Sequence, residues 1–320
     1  MTEFDIIRNY FNRLPSSRPD VRVGIGDDAA ICLPPPGMET VATTDVLNAG
    51  VHFLEDVDPA ALGHKSLAVN LSDLAAVGAE PAWFLLGLTL PTASPAWLEQ
   101  FTRGLFALAQ RYNVQLIGGD TTRGPLSIAI TAIGLVPQGK GLLRAGAKPG
   151  DLIYVTGTLG DAALALDAIR GVRRFAADEL ALLRERLERP VPRVAEGAAL
   201  RDIASSGIDV SDGLLGDLGH ILEASGVGAR VRLEAVPLSP TYRTHLTELG
   251  WDYALGGGDD YELCFTVPPL ERETLDVLAS EMKFPLTLIG EITAERALNV
   301  YDAAGRIYRA QRRGYDHFST

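Results

Sequence analysis

Val114-Gln115-Leu116-Ile117-Gly118-Gly119-Asp120-Thr121-Thr122 reads as a short apolar strand, Val114 to Ile117, that opens into a glycine–aspartate–threonine turn. Leu126 to Val136 after it is again strand-like. Before it, Pro95 to Tyr112 carries helical apolar spacing, and Ala82 to Leu90 is an apolar run of strand length stopped by Pro91. Further out, Asp58 and Pro59 form a helix start, cap and first turn, for a helix running to about Val77 with Leu62, Val69 and Leu74 inward. Glu39 to Thr44 is rich in threonine and valine and reads as a strand. Residues 3–13 read as a short amphipathic helix ended by Pro15 and Pro19.

Pro137 to Gly150 is glycine- and proline-bearing with little periodicity, so a domain boundary is expected there. The expected division is 1–137, a linker 138–150, and 151–320. The second part reads as a strand at Asp151 to Val155 and helices near 160–170, 176–188 and 192–205. A short strand, Ile208-Asp209-Val210, then leads into a helix from Leu214 to Ala224, and strands follow near 229–233, 262–267 and 286–291. Mixed strands and helices in both parts give a two-domain α/β (α+β) expectation. Trp83 and Trp97 fall in apolar periodic segments and are expected in the core.

The 320 residues carry 29 Lys and Arg against 41 Asp and Glu, a formal charge of −12. That balance disfavours a broad nucleic-acid surface and an anionic membrane surface, both of which need basic stripes. The two cysteines, Cys32 and Cys264, make no disulfide framework and no zinc spacing, and a reducing, cytoplasmic setting is expected. The acidic start, Glu3 and Asp5, is unlike a signal peptide. The stretch between Glu80 and Glu99 is charge-free but broken by Pro81, Pro91 and Pro95, so no membrane span is expected.

The aspartates are unevenly placed. Gly24-Ile25-Gly26-Asp27-Asp28 sets two carboxylates in a glycine turn, and Thr43-Thr44-Asp45 closes a strand. Asn70 and Asp73 share a helix face. Gly118-Gly119-Asp120, Asp209-Val210-Ser211-Asp212-Gly213 and Gly256-Gly257-Gly258-Asp259-Asp260 complete the set. Short oxygen ligands on turns suit hard cations such as magnesium, and glycine backbones let amides approach phosphate. Two carboxylates about 4 Å apart repel by roughly 4 kcal/mol at an effective dielectric near 20, which a cation relieves. Any one of these turns also reads as an ordinary surface turn; the chemical reading rests on their number and placement.

Gly24 to Ala29 matches the dinucleotide pattern G-x-G-x-x-A. Asp27 and Asp28 would oppose a pyrophosphate, however, and Pro34-Pro35-Pro36 forbids the long helix that the pattern requires. A P-loop and the protein-kinase motifs are absent.

In this order the motifs Gly24 to Ala30, Thr43-Thr44-Asp45, Asn70 to Ala79, Gly118 to Thr122, Asp209 to Leu214 and Gly314-Tyr315-Asp316-His317-Phe318 resemble those of the thiamine-monophosphate kinase family, in the aminoimidazole ribonucleotide synthetase superfamily. The likeness spans nearly the whole chain. It implies two α/β domains, a homodimer through the N-terminal sheets, and ATP-dependent phosphorylation of thiamine monophosphate to thiamine diphosphate with several magnesium ions, the last step of thiamine diphosphate biosynthesis. By motif, it implies Asp28, Thr43, Thr44, Asp45, Asp73, Asp120, Asp209 and Asp212 as metal ligands. Tyr112, Gly119, Asp120, Arg144 and Ser211 would contact ATP, and His52, Asp259 and Tyr315 the thiamine phosphate. The family usually has glutamate where Asp259 stands, so a direct and a water-bridged contact are both open there.

Bland readings stand beside these. By itself His52 reads more readily as a structural hydrogen-bonder than as a ligand; Tyr315 reads equally as a tail anchor, Arg144 as a linker residue, and Ser211 as a cap for the helix after Gly213, which would aim amides at an anion. The acceptor phosphate is already an anion near neutrality, with a second pKa of about 6, so direct in-line transfer needs no general base. Catalysis is then expected to be mostly positioning and electrostatics.

Overall fold

The computed structural model describes residues 2–12, 18–312 and 314. It divides into two compact units. The first comprises the chain to Leu74 with Ala79–Lys140, the second Ala75–Gly78 with the chain from Gly141.

In the first unit, α1 (Glu3–Ile6) continues directly as a π-helical turn, Ile7–Phe11, closed by the Asn12 N–H on the Ile7 carbonyl at 2.9 Å. The expected single helix over 3–13 is thus two kinds of turn, and the wider one buries both Tyr10 and Phe11. A ribbon of β1 (Val21–Val23) and β2 (Ile31–Cys32) follows. The main sheet is β3 (Met38–Asn48), β4 (Glu80–Leu90), β5 (Gln115–Arg123) and β6 (Ser127–Pro137), in the order β3-β6-β4-β5. β4 and β5 are parallel and the other pairs antiparallel.

The crossover helices are α2 (Pro59–Ala76) and α3 (Pro95–Arg111). Asp58 caps α2 through the Ala60 and Ala61 N–H groups at 3.2 Å, and Ser94 caps α3. A Cβ on Gly63 would stand 2.0 Å from the Phe101 carbonyl, and one on Gly104 1.8 Å from that of Ala60, so only glycine permits this approach of α2 and α3. Leu62, Val69 and Leu74 are buried as the periodicity requires. Trp83 is buried; Trp97 is half-buried, stacked on Phe101 at 4.9 Å.

Two strands run further than the sequence suggests. β3 does not stop at Asp45 but pairs with β6 from Met38↔Pro137 to Asn48↔Ser127. β5 passes through Gly118-Gly119-Asp120 to Arg123, against β4. Continuous pairing on a neighbouring strand outweighs the low strand preference of glycine and aspartate.

The second unit is a seven-stranded sheet with helices. Its elements are β7 (Leu152–Thr156), α4 (Asp161–Ile169), α5 (Ala177–Glu188), α6 (Val194–Leu200), β8 (Ser206–Val210), α7 (Leu214–Ser225), β9 (Gly228–Arg232), α8 (Pro240–Leu249), α9 (Asp252–Gly256), β10 (Glu262–Val267), α10 (Arg272–Met282), β11 (Leu286–Thr293), β12 (Leu298–Tyr301) and β13 (Ile307–Tyr308). The strand order is β13-β12-β9-β11-β7-β10-β8, antiparallel except for β9 and β12. The helix expected over 192–205 is only α6. Helices α8, α9 and α10 and the strands β12 and β13 add to the sequence reading. Ile153, Val155, Leu214, Leu218 and Ile221 lie in its core. Among the described residues no helix is long and apolar enough to cross a membrane.

Candidate functional site

The register of β3 sorts Thr43, Thr44 and Asp45 onto two faces, because side chains alternate along a strand. The Thr43 hydroxyl donates to Asp73 Oδ2 on α2. Asp45 follows on that same face. Thr44 points the other way, where its hydroxyl lies 2.7 Å from that of Thr131 on β6. Across the sheet, Asp120 pairs with Gly87, Gly87 with Ala129 and Ala129 with Val46, which places Asp120 in the rows of the Thr44 face. The three adjacent residues therefore do not act as one ligand set by side chain.

One turn before Asp73, Asn70 is fully buried. Its amide donates to the Ser66 carbonyl at 3.2 Å, while its Oδ1 has no hydrogen-bond partner. A buried acceptor left so is costly and calls for a water or a cation.

A cavity of about 380 Å³ opens beside β5. Asp27, Asp28 and Asp120 line its polar side with the Gly118-Gly119 backbone, and Phe4, Ile7 and Phe11 are among its apolar lining. The Asp28 N–H donates to Asp27 Oδ1 at 2.8 Å, tying Asp27 to the turn. Asp28 and Asp120 are exposed side chains facing this space. A Cβ on Gly119 would sit 1.9 Å from the Leu86 carbonyl, so the backbone there is bare by necessity.

In the second unit Asp209 is buried near the end of β8, and Ser211 and Asp212 form the turn into α7. Ser211 does not cap that helix. Its N-cap is Gly213, and one oxygen of buried Asp217, Oδ2, accepts the N–H groups of Ser211, Asp212 and Gly213 at 3.0, 3.1 and 3.0 Å. The amides expected to face an external anion are turned onto an internal one. Burial and the nearby Asp212 charge push the Asp217 carboxyl up to about 7, against those three donors. The sequence reading missed Asp217; an acid in the first turn of a helix whose cap has no side chain was the available signal.

The segment after α9 lies along that turn. The Asp259 N–H donates to the Ser211 carbonyl and the Tyr261 N–H to that of Val210, both at 2.8 Å. Asp259 is half-buried and thus stands beside the Asp209–Asp212 turn. Its neighbours are structural. Asp260 accepts the Gly160 N–H at 2.9 Å on both oxygens, and burial holds its carboxyl well above the usual range. Glu262, buried in β10, takes Arg193 at 2.6 and 2.7 Å, Arg186 at 2.7 Å and the Thr156 hydroxyl at 2.7 Å.

His52 Nδ1 accepts the Asn48 N–H at 3.0 Å, so this nitrogen is unprotonated. Tyr112 ends α3, with the Arg111 guanidinium 5.4 Å from its ring centre. Arg144 is exposed on a segment pinned by Ser225, whose hydroxyl donates to the Arg144 carbonyl and accepts the Gly146 and Ala147 N–H groups, all at 3.2 Å. Tyr315 lies outside the described residues. Among the described residues no three His, Cys, Asp or Glu side chains converge on one point to hold a metal. The donors present are carboxylate, hydroxyl and amide oxygens, including the orphaned Asn70 Oδ1. This chemistry fits magnesium, which uses one or two carboxylates and fills its other positions with water and phosphate.

Residues 26–136 match the AIR synthase related protein N-terminal domain, and residues 148–303 match its C-terminal domain. The thiamine-monophosphate kinase of Escherichia coli K12 is 51% identical over 320 residues, covering 99% of this chain and 98% of the relative. The chain belongs to the thiamine-monophosphate kinase family. It is thereby an enzyme, a kinase. The thiamine-monophosphate kinase of Stenotrophomonas maltophilia K279a is similar in structure, with a TM-score of 0.83 and 48% identity over 89% of this chain and 92% of that one. A further structure, AaThiL complexed with AMPPCP and TMP, matches with a TM-score of 0.77 and 31% identity over 92% of both chains.

Proposed function

We propose that this chain transfers the γ-phosphoryl group of ATP to thiamine monophosphate, giving thiamine diphosphate and ADP. The observation that carries the reading is the match over 92% of both chains to a relative complexed with AMPPCP and TMP. The acidic, glycine-backed cavity at Asp28, Gly119 and Asp120 supports it, since such a surface suits a metal-bound polyphosphate.

Asp28, Thr43, Thr44, Asp45, Asp73, Asp120, Asp209 and Asp212 would hold magnesium, several ions in all, with Thr43 and Asp45 serving one face of the first unit's sheet and Thr44 and Asp120 the other; it would supply positive charge against the phosphate oxygens. Gly119 offers bare backbone to the nucleotide, Ser211 a hydroxyl, Arg144 a charge at the surface and Tyr112 a ring. His52, Asp259 and Tyr315 would meet the thiamine phosphate. The acceptor attacks as an anion in line with the leaving ADP, and no side chain need remove a proton. The open face of the first unit's sheet supports a homodimer: Val46 is 46% and Leu85 36% exposed there, among small residues such as Ala42, Ala129 and Thr131.

Phosphorus NMR of the protein with Mg-ATP and thiamine monophosphate tests the reaction. Thiamine diphosphate and ADP should rise together. Orthophosphate release with the ester untouched would move the chain to another chemistry.

A further inference from the structure

Asp259 (φ +68°) and Tyr261 (φ +52°) are non-glycine residues in the left-handed region, and they fall within one three-residue segment. A tyrosine fits that region badly, because its Cβ crowds the backbone carbonyl. Such a conformation persists where its surroundings over-determine it, and it clusters at working sites. Here three anchors do so. The Asp259 and Tyr261 N–H groups are held on the Ser211 and Val210 carbonyls at 2.8 Å, and buried Asp260 between them is held on the Gly160 N–H at 2.9 Å. The outcome is a side-chain contact: the Tyr261 hydroxyl donates to Asp259 Oδ1 at 3.0 Å.

The Tyr261 ring is buried, at 9% exposure, while Asp259 is half-buried. The ring is therefore a fixed post with a hydrogen-bond donor at its tip. Aspartate has one methylene, so this bond restricts where that carboxylate oxygen can lie. Building on the proposal that Asp259 meets thiamine monophosphate, we infer that Tyr261 is a positioning residue. It holds the Asp259 carboxylate in the orientation that receives the substrate's positively charged heterocycle.

Tyr261→Phe removes the hydroxyl and keeps the ring. Its KM for thiamine monophosphate should rise on the order of tenfold, the loss of one hydrogen bond to a charged group. Its kcat, its KM for ATP and its thermal midpoint should stay near those of the wild type. Asp259→Asn should raise the same KM, and the double variant should be no worse than Asp259→Asn alone, because the two act as one unit. Calorimetric titration with thiamine monophosphate should repeat the pattern in Kd. An unchanged KM in Tyr261→Phe overturns the inference. So do additive losses, or a fall in kcat and thermal midpoint together. Wild-type protein that makes no thiamine diphosphate overturns the functional reading first, and this inference with it, before any variant is compared.

Discussion

The Thr43 hydroxyl on β3 donates to the Asp73 carboxylate on α2, joining two motifs 30 residues apart in the sequence. This bond pins a helix carboxylate to the sheet beside Asp45. Replacing Asp73 by Asn keeps size and removes charge. Turnover should fall by about 100-fold or more, with a circular dichroism spectrum like that of the wild type. A folded Asp73→Asn protein with near-normal rate would remove Asp73 from the metal set.

Val46 lies in the uncovered face of the same sheet. A lysine there would put a charge into the proposed self-contact. The wild type should sediment as a dimer and Val46→Lys as a monomer. A wild-type protein that is monomeric at micromolar concentration would end the dimer proposal.

Glu262 is the anion between two arginines deep in the second unit. Glu262→Ala leaves Arg186 and Arg193 facing each other without their carboxylate. Breaking a buried pair on one side costs about 3–5 kcal/mol. Urea unfolding should show a loss of that size, and Glu262→Gln a smaller one.

Asp20 is held below the usual carboxylate range by the Arg18 guanidinium, at 2.9 and 2.7 Å, and by the Trp83 indole N–H at 3.2 Å. A lowered folded pKa means that this stabilisation is present above about pH 3.8 and is lost as pH falls through the folded value. At pH 7, Asp20→Asn should be less stable by about 1–3 kcal/mol. The gap should close below pH 3.8, read as two converging curves of stability against pH.

Signals carried by adjacent residues are legible in this sequence. Asp58 and Pro59 mark the start of α2 because cap and first turn are properties of adjacent residues. The same signature at Ser239 and Pro240 starts α8, a helix beyond those expected from the sequence. Register was not legible. That Thr43 and Asp45 share a face and Thr44 does not follows from alternation, but the extent of β3 depends on β6, whose partners lie far along the chain, from Asn48↔Ser127 to Met38↔Pro137, and whose pairing no local pattern fixes. Asp120 was expected after a strand and lies inside one, for the same reason. Glu262 gave no local hint of its arginines, which come from positions 69 and 76 residues away. Asp217 was within reach, four residues past Gly213, but its three amide partners depend on the fold of the turn.

The amides of the Ser211–Gly213 turn are already committed to Asp217. A second acceptor arriving there competes with Asp217 for these three main-chain hydrogens. Under the proposed assignment of Ser211 to ATP, the turn would favour a nucleotide whose charge divalent ions have already offset. That preference would be set by a buried acid inside the protein, four residues past Gly213, rather than by a group on the surface.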